Sequence, residues 1–157
     1  MRRRRWPDPN PRFVEARTTV RVRFHEVDSL RVVWHGHYLA YFEEGRVAFG
    51  REHGFDYATI LAAGYVAPLV RVELDYLAPA RYDDSLEIIC RMHEPEGARV
   101  IFGYEIHRSG GPLLASGMTV QVFTDLEGEL ILVAPRFYET FLAQLDWRPP
   151  NPESPTR

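Results

Sequence analysis

Between Gly64 and Thr124 apolar residues recur at every second position in four successive runs. Val66, Pro68, Val70, Val72, Leu74 and Tyr76 form the first. Leu86, Ile88, Cys90 and Met92 form the second, and Val100, Phe102, Tyr104 and Ile106 the third. Leu114, Ser116, Met118, Val120 and Val122 complete the set. Side chains alternate across a strand with a period of two, so each run predicts a long strand with one face turned to a core. The links carry turn chemistry: Ala78-Pro79-Ala80 with Asp83-Asp84, then Glu94 to Gly97, then Ser109 to Pro112. Links this short join antiparallel neighbours, because a parallel crossover needs a dozen or more residues. The result is one antiparallel sheet whose apolar face must be covered.

Only one long segment is available to cover it. From His37 to Gly54, Tyr38, Phe42, Gly45 and Phe49 recur at helical spacing with Leu39 and Ala48 beside them, while Glu43, Glu44, Arg46 and Arg51 supply polar positions. Gly54 suits a helix C-cap. A shorter helical turn over Tyr57 to Ala63 ends at Gly64. Ahead of the helix, Thr18 to His25 reads as a half-buried strand, with Val20, Val22 and Phe24 facing one way and Arg21, Arg23 and His25 the other. After a last hairpin at Asp125 to Gly128 come Leu130 to Val133, and Pro135 opens a terminal helix with Phe137, Phe141 and Leu145 on one side. The predicted class is α+β: an antiparallel sheet curled around one long helix, in a single domain over 18–146. Segments 1–17 and 147–157, rich in proline and charge, read as flexible tails. A sheet of this kind has a face and edges left over, which predicts self-association.

Composition removes several kinds of chemistry. All 19 basic residues are arginine. Without lysine there is no Schiff-base catalysis and no P-loop, and phosphates would be met by arginine or by backbone N–H groups. A formal net charge of −3 argues against a nucleic-acid footprint, and the basic run Arg2 to Arg5 reads as a solvated tail. The lone Cys90 cannot form an internal disulfide, no secretory signal is visible, and no apolar run approaches the roughly 20 residues of a membrane span. A cytoplasmic protein is expected.

Reactive side chains gather between Phe24 and Arg46, in a loop that leads into the long helix. Asp28 is either a turn-forming acid or a reactive carboxylate. The neighbouring helix start favours the second reading, since its first N–H groups have no intrahelical partners and can polarise a carbonyl or hold an oxyanion. Gly36 lets a ligand approach the backbone closely. His35 either bonds to backbone or orients the substrate or Asp28. His25, His35 and His37 invite a metal reading, but a well-separated ligand pair is missing, and no metal is expected. Cys90 points into the core and Glu43 forms an i,i+3 pair with Arg46, although a carboxylate on the central helix is also a rival to Asp28. Arg99 is either a surface charge or a phosphate contact.

These residues carry a resemblance. Phe24-x-Glu26-Val27-Asp28, Val32-Val33-Trp34-His35-Gly36-His37-Tyr38 and Tyr41-Phe42-Glu43-x-Gly45-Arg46 together resemble the signature of hotdog-fold acyl-CoA thioesterases of the 4-hydroxybenzoyl-CoA thioesterase type, including its YbgC-like branch. The similarity extends through Tyr76-x-Ala78-Pro79-Ala80-Arg81-Tyr82-Asp83-Asp84 and covers roughly residues 18 to 140. It implies hydrolysis of an acyl-CoA thioester to an acid and free coenzyme A, in homodimers or homotetramers with sites at subunit interfaces. No cofactor is implied beyond the coenzyme A of the substrate. By this resemblance the catalytic aspartate falls on Asp28, its histidine on His35, and the carbonyl-polarising amide on the backbone of His35 beside Gly36. Trp34, Tyr38, Pro68 and Arg99 join Gly36 as candidate substrate contacts. Where many members carry glycine three residues after the aspartate, this chain has Arg31. The rival readings are a hotdog hydratase or dehydratase acting on acyl thioesters, and a non-catalytic acyl-thioester binding module.

Overall fold

A computed structural model describes residues 12–149. Of the predicted tails over 1–17 and 147–157, residues 1–11, with the Arg2 to Arg5 run, and 150–157 lie outside the described residues. The elements are β1 (Phe13–Arg21), a 3-10 turn (Phe24–Glu26), α1 (His37–His53), α2 (Tyr57–Ala62), β2 (Leu69–Tyr76), β3 (Ser85–His93), β4 (Arg99–Arg108), β5 (Leu113–Thr124), β6 (Leu130–Ile131) and α3 (Arg136–Ala143). They form one six-stranded sheet in the order β1-β3-β4-β5-β2, with β6 paired to β5, and every pairing is antiparallel. This is the curled sheet around one helix that the sequence predicts.

Helix α1 lies on the inner face of β1, β3 and β4. Gly45 makes the contact close, because a Cβ there would sit 2.9 Å from Ile88 Cγ2 and 3.2 Å from Cys90 Cβ. Phe42 stacks flat on Tyr104 at 4.3 Å between ring centroids, and Phe49 meets Phe102 edge-on at 5.2 Å. Leu86, Ile88, Cys90, Met92, Val100, Phe102 and Ile106 are fully buried beneath the helix, as their alternation predicts. Tyr41 and Gly50 are buried on α1 as well, whereas Leu39 is exposed. Gly54 closes the helix in the left-handed region, at φ 76°. Helix α3 caps one end of the core through Tyr138, whose hydroxyl donates to Arg99 O at 2.8 Å.

Three expectations about faces and boundaries change. The first strand begins at Phe13 rather than Thr18, and Phe13 and Arg148 exchange backbone hydrogen bonds, so both flanks of the core are tied into the sheet. Phe24 does not extend the buried face of β1. The strand stops at Arg21, and the following 3-10 turn swings Phe24 out to 79% exposure while burying Glu26. On β5 the predicted face is reversed. Ile106 pairs with Ala115 but His107 with Leu113, so an extra residue at Leu114 shifts the alternation. The inner face then carries Ala115, Gly117, Thr119, Gln121 and Phe123, opposite Ile106, Tyr104, Phe102 and Val100. Ser116, Met118, Val120 and Val122 face outward, where Val120 is nonetheless buried.

Next to this region the sheet becomes uncovered at β2. Gly117 lies beneath the Phe42 ring. The Thr119 hydroxyl meets the Tyr104 hydroxyl at 3.1 Å, and the Gln121 side-chain amide donates to Ala67 O. Beyond them β2 forms an unpaired edge, and Val70, Val72 and Tyr76 are exposed although their spacing predicts a buried face. On the outer face, by contrast, charges run across three strands. Arg91 bonds Glu15 at 2.7 Å and Glu105 at 2.8 Å, and His107 bonds Glu105 at 3.0 Å.

Candidate active site

The loop between β1 and α1 is a small hairpin pinned on several sides. Val27 and Val33 form an antiparallel bridge, and Asp28 N–H donates to Val32 O at 2.9 Å. At its base Glu26 is buried, accepting from Arg23 N–H at 2.7 Å and from the Tyr41 hydroxyl at 3.0 Å. Burial and this carboxylate push the Tyr41 phenol well above its ordinary value, so it remains a donor. Val33 N–H donates to Ala80 O at 2.8 Å, and the Tyr76 hydroxyl donates to His35 O at 2.8 Å. The loop is thereby fixed to the segment after β2 and to the end of β2 itself. Glu26 and Tyr41 stand in the motif that carries the resemblance, but their pairing is not readable there, because a lone loop acid and a helix tyrosine fifteen residues apart carry no periodic signal.

Asp28 stands at the hairpin's turn. One carboxylate oxygen accepts from Leu30 N–H at 2.8 Å, as turn-forming aspartates do, and the other accepts no hydrogen bond among the described residues. Both readings of Asp28 are therefore compatible in one side chain: one oxygen holds the turn and the other is left for chemistry. Arg31 N–H closes the turn onto Asp28 O at 2.9 Å, with Arg31 itself at φ 62°. That left-handed conformation is the one glycine adopts freely, which gives a physical meaning to the departure at this position.

Helix α1 starts at Gly36 with no side-chain cap and no acid in its first turn. Its leading N–H groups are left with their partial positive charge uncompensated by side chains. The space over Gly36 is filled by the chain's own Trp34, because a Cβ at Gly36 would come within 2.1 Å of the indole. Trp34 is 46% exposed and touches both His35, at 4.8 Å, and His37, at 5.4 Å between ring centroids. His25 reaches His37 at 6.5 Å. The three histidines are thus strung along an aromatic row, and no group of three or more metal-ligating side chains converges among the described residues. His35 is exposed and makes no hydrogen bond to Asp28.

The structure places Asp28, Trp34, His35 and Gly36 on one hairpin loop leading into α1 and separates the other candidates from it. Tyr38 is buried, with its hydroxyl accepting from Ala80 N–H at 3.1 Å, so it supports the loop from behind. Glu43 is held by Arg46 and by the Tyr57 hydroxyl further along α1. Burial raises its carboxyl pKa, but the hydrogen bond and charge of Arg46, together with the Tyr57 hydroxyl, outweigh this and hold it below the ordinary value. Cys90 is sealed in the core, where burial pushes its thiol far up. Arg99 and Pro68 lie at the opposite end of the sheet. Arg99 begins β4, whose far end, at Arg108, is the one beside the helix start; those nine steps of strand amount to roughly 30 Å. A cavity of about 270 Å³ opens at that second end between α1, α2 and the sheet, lined by Arg46, Phe55, Tyr57, Ile60, Phe102 and Gln121.

Comparison with known proteins supplies the family and the fold. The family model described as the thioesterase-like superfamily matches residues 22–145. The acyl-CoA thioester hydrolase YbgC of Escherichia coli is 30% identical over 69% of this chain and 81% of its own length. The putative acyl-CoA thioesterase YneP of Bacillus subtilis is 27% identical over 69% of this chain and 78% of its own. Among solved structures, the hypothetical protein TT1821 from Thermus thermophilus superimposes with a TM-score of 0.74 and 32% identity, over 83% of this chain and 99% of its own. Slr0204, a 1,4-dihydroxy-2-naphthoyl-CoA thioesterase from Synechocystis, has the same fold at a TM-score of 0.74 and 23% identity, over 84% and 98% of the two chains.

Proposed function

We propose that this chain, which belongs to the thioesterase-like superfamily, is a thioester hydrolase that cleaves an acyl-CoA to a carboxylic acid and free coenzyme A. The observation that carries the reading is the free oxygen of Asp28, on a pinned turn in the loop that feeds the uncapped start of α1. The thioester carbonyl accepts hydrogen bonds from the first amides of the helix, which stabilise the charge that develops on its oxygen. Asp28 either attacks the carbonyl carbon, expelling the thiolate and leaving an anhydride that water cleaves, or takes a proton from the attacking water. Exposed beside Trp34, His35 positions the substrate. Coenzyme A enters as part of the substrate, and no other cofactor takes part in these steps.

The site is completed by a second copy. Strand β2 is an unpaired edge with Val70, Val72 and Tyr76 exposed, a surface that favours pairing with another chain. Two such edges meeting antiparallel would set the Tyr76 end of one protomer against the Leu69 end of the other. Pro68 and the 270 Å³ cavity of one copy would then border Asp28 and His35 of its partner. A homodimer, or a tetramer built from two, follows from this reading. Among the described residues no helix is long and apolar enough to cross a membrane. With its one cysteine buried, the protein fits the cytoplasm.

The test is release of free thiol from a panel of acyl-CoAs, short, long and aromatic, by the wild type and by Asp28→Asn. Asparagine keeps the acceptor for Leu30 N–H but lacks the charge. Full hydrolysis by the variant would overturn the assignment of Asp28, and hydration of an enoyl-CoA without hydrolysis would replace the reaction class.

A further inference from the structure

The cavity of about 270 Å³ between α1, α2 and the sheet has a mixed lining. Phe55, Ile60 and Phe102 are buried and give it apolar walls. A void of about 150 Å³ holds a benzene ring, so this one has room for roughly ten non-hydrogen atoms. On the same lining stand two cations, Arg46 and Arg51, and a single acid, Asp56. The apolar interior over β3 and β4 has no use for them, and neither arginine takes part in the steps assigned to Asp28.

Both guanidinium groups have donors to offer. Arg46 is mostly buried, with its Cζ 5.1 Å from the centre of the Tyr57 ring, and it donates through Nη2 to Glu43. Its Nε is sealed from solvent without an acceptor, and its Nη1 makes no hydrogen bond among the described residues. Arg51 is exposed and makes neither an ion pair nor a hydrogen bond among the described residues. The acids nearby are already engaged. Glu43 is held by Arg46 and by the Tyr57 hydroxyl, and the Asp56 carboxylate accepts from the Thr59 N–H and hydroxyl, both at 2.8 Å, at the start of α2. A sheltered cation with unpaired donors carries a desolvation cost that an acceptor removes. A carboxylate answers guanidinium donors more strongly than a neutral oxygen does.

We propose that this cavity selects acyl groups that end in a carboxylate: a medium-length dicarboxylic acyl chain runs along Phe55, Ile60 and Phe102 with its far carboxylate towards Arg46 and Arg51. A suberyl group beyond its thioester carbonyl has about the size of the void. The assignment rests on the thioesterase reading and on the pairing of two copies that sets this cavity beside the partner's Asp28. One copy then supplies the reactive loop and the other chooses the acyl group.

The experiment compares hydrolysis of suberyl-CoA and octanoyl-CoA, which share a chain length and differ in the far carboxylate, by the wild type, Arg51→Gln and Arg46→Lys. Lysine keeps a charge beside Glu43 and removes the guanidinium fork. The wild type is expected to favour suberyl-CoA in kcat/KM by about tenfold or more, and each variant to lose about that factor of preference, carried by KM. Should Arg46→Lys fail to fold, Arg51→Gln, at an exposed position, carries the test alone. A wild type that hydrolyses octanoyl-CoA as well as suberyl-CoA or better overturns the proposal, and so does a preference that survives in Arg51→Gln. Equal losses on both substrates with a change in mass on size exclusion also overturn it, because the arginines would then hold the two copies together. If the wild type hydrolyses no thioester, the thioesterase reading falls, and binding of suberate against octanoate, followed by ligand-observed NMR, decides the cavity by itself. Suberate bound by the wild type and lost in Arg51→Gln supports it, and equal behaviour of the two acids overturns it.

Discussion

Strands β3 and β4 and strands β5 and β2 belong to one sheet, yet they meet the helix on different terms. Under α1, the inner face of β3 and β4 is a continuous apolar surface from Leu86 to Ile106 with almost no exposure. Across β5 it turns to Gly117, Thr119 and Gln121, and at β2 it ends in exposed Val72 and Tyr76. The first half closes on itself. The second half is unfinished in one protomer, and Tyr76, at its edge, is the residue that holds the His35 carbonyl beside the helix start. On the proposed reading, the reactive loop is thus tied to the unfinished half, while the covered half carries the stability.

Asp28→Asn presses hardest on that division. It should lower kcat on the order of a hundred- to ten-thousandfold, the usual worth of a positioned acid or base, while the denaturant midpoint barely moves. A large loss of stability would mean that the turn acid belongs to the structural half after all. Phe102→Ala should do the opposite, costing about 3–5 kcal/mol in urea unfolding because the ring is fully buried against Phe49. Val72→Ala, at the exposed edge, should cost the protomer about 0.5 kcal/mol or less and show itself in sedimentation as weaker association. Equal losses from the two would erase the contrast.

A smaller effect is expected at Arg31, held at φ 62°. Arg31→Gly should gain roughly 0.5–1 kcal/mol, the relief of left-handed strain less the entropy of a freer unfolded chain, read as a rise in Tm. The smallest lies on the outer face of the covered half. Burial pushes the Glu15 and Glu105 carboxyls up, but hydrogen bonds from Arg17 and Arg91 on the first, and from His107 and Arg91 on the second, outweigh it. Both sit below their ordinary value of 4.5. Folded acids of this kind bind protons less readily than the unfolded chain does. Their contribution is complete above the unfolded value and is lost as pH falls below about 4.5 through the folded values. Glu105→Gln should remove roughly 0.3 kcal/mol at pH 7, and the gap from the wild type should narrow in acid.

The covered half was legible because its signals agree. The helix over residues 37–53 has an apolar stripe, a bracketing glycine at each end and a strand pattern on either side, and the alternation of β3 and β4 has no interruption. On β5 the alternation was misread because Leu114 is an extra residue opposite β4. The true inner face is also small and polar there, since Phe42 fills the space above Gly117 and Thr119 and Gln121 have buried partners. Edge strand β2 looks apolar at alternate positions whether its cover comes from its own chain or from another. At the site, the loop and the helix start that follows it were legible in the local sequence. The separation of Arg99 from Asp28 within one protomer is topological: strand direction reverses at each turn, so the beginning of β4 lies at the end where β3 finishes, away from the start of α1.

The pair of backbone hydrogen bonds between Phe13 and Arg148 brings the two boundaries of the described chain side by side. In outline the domain is a loop of polypeptide whose two ends meet at β1, the strand that also takes a hydrogen bond between His53, at the end of α1, and Glu15 O. Such a loop can be cut elsewhere. Joining residue 12 to residue 149 and opening the chain at the exposed turn around Gly97 or Gly110 would leave every strand pairing and the Asp28 hairpin in place. The order in which the elements are synthesised is therefore separable from the architecture they build.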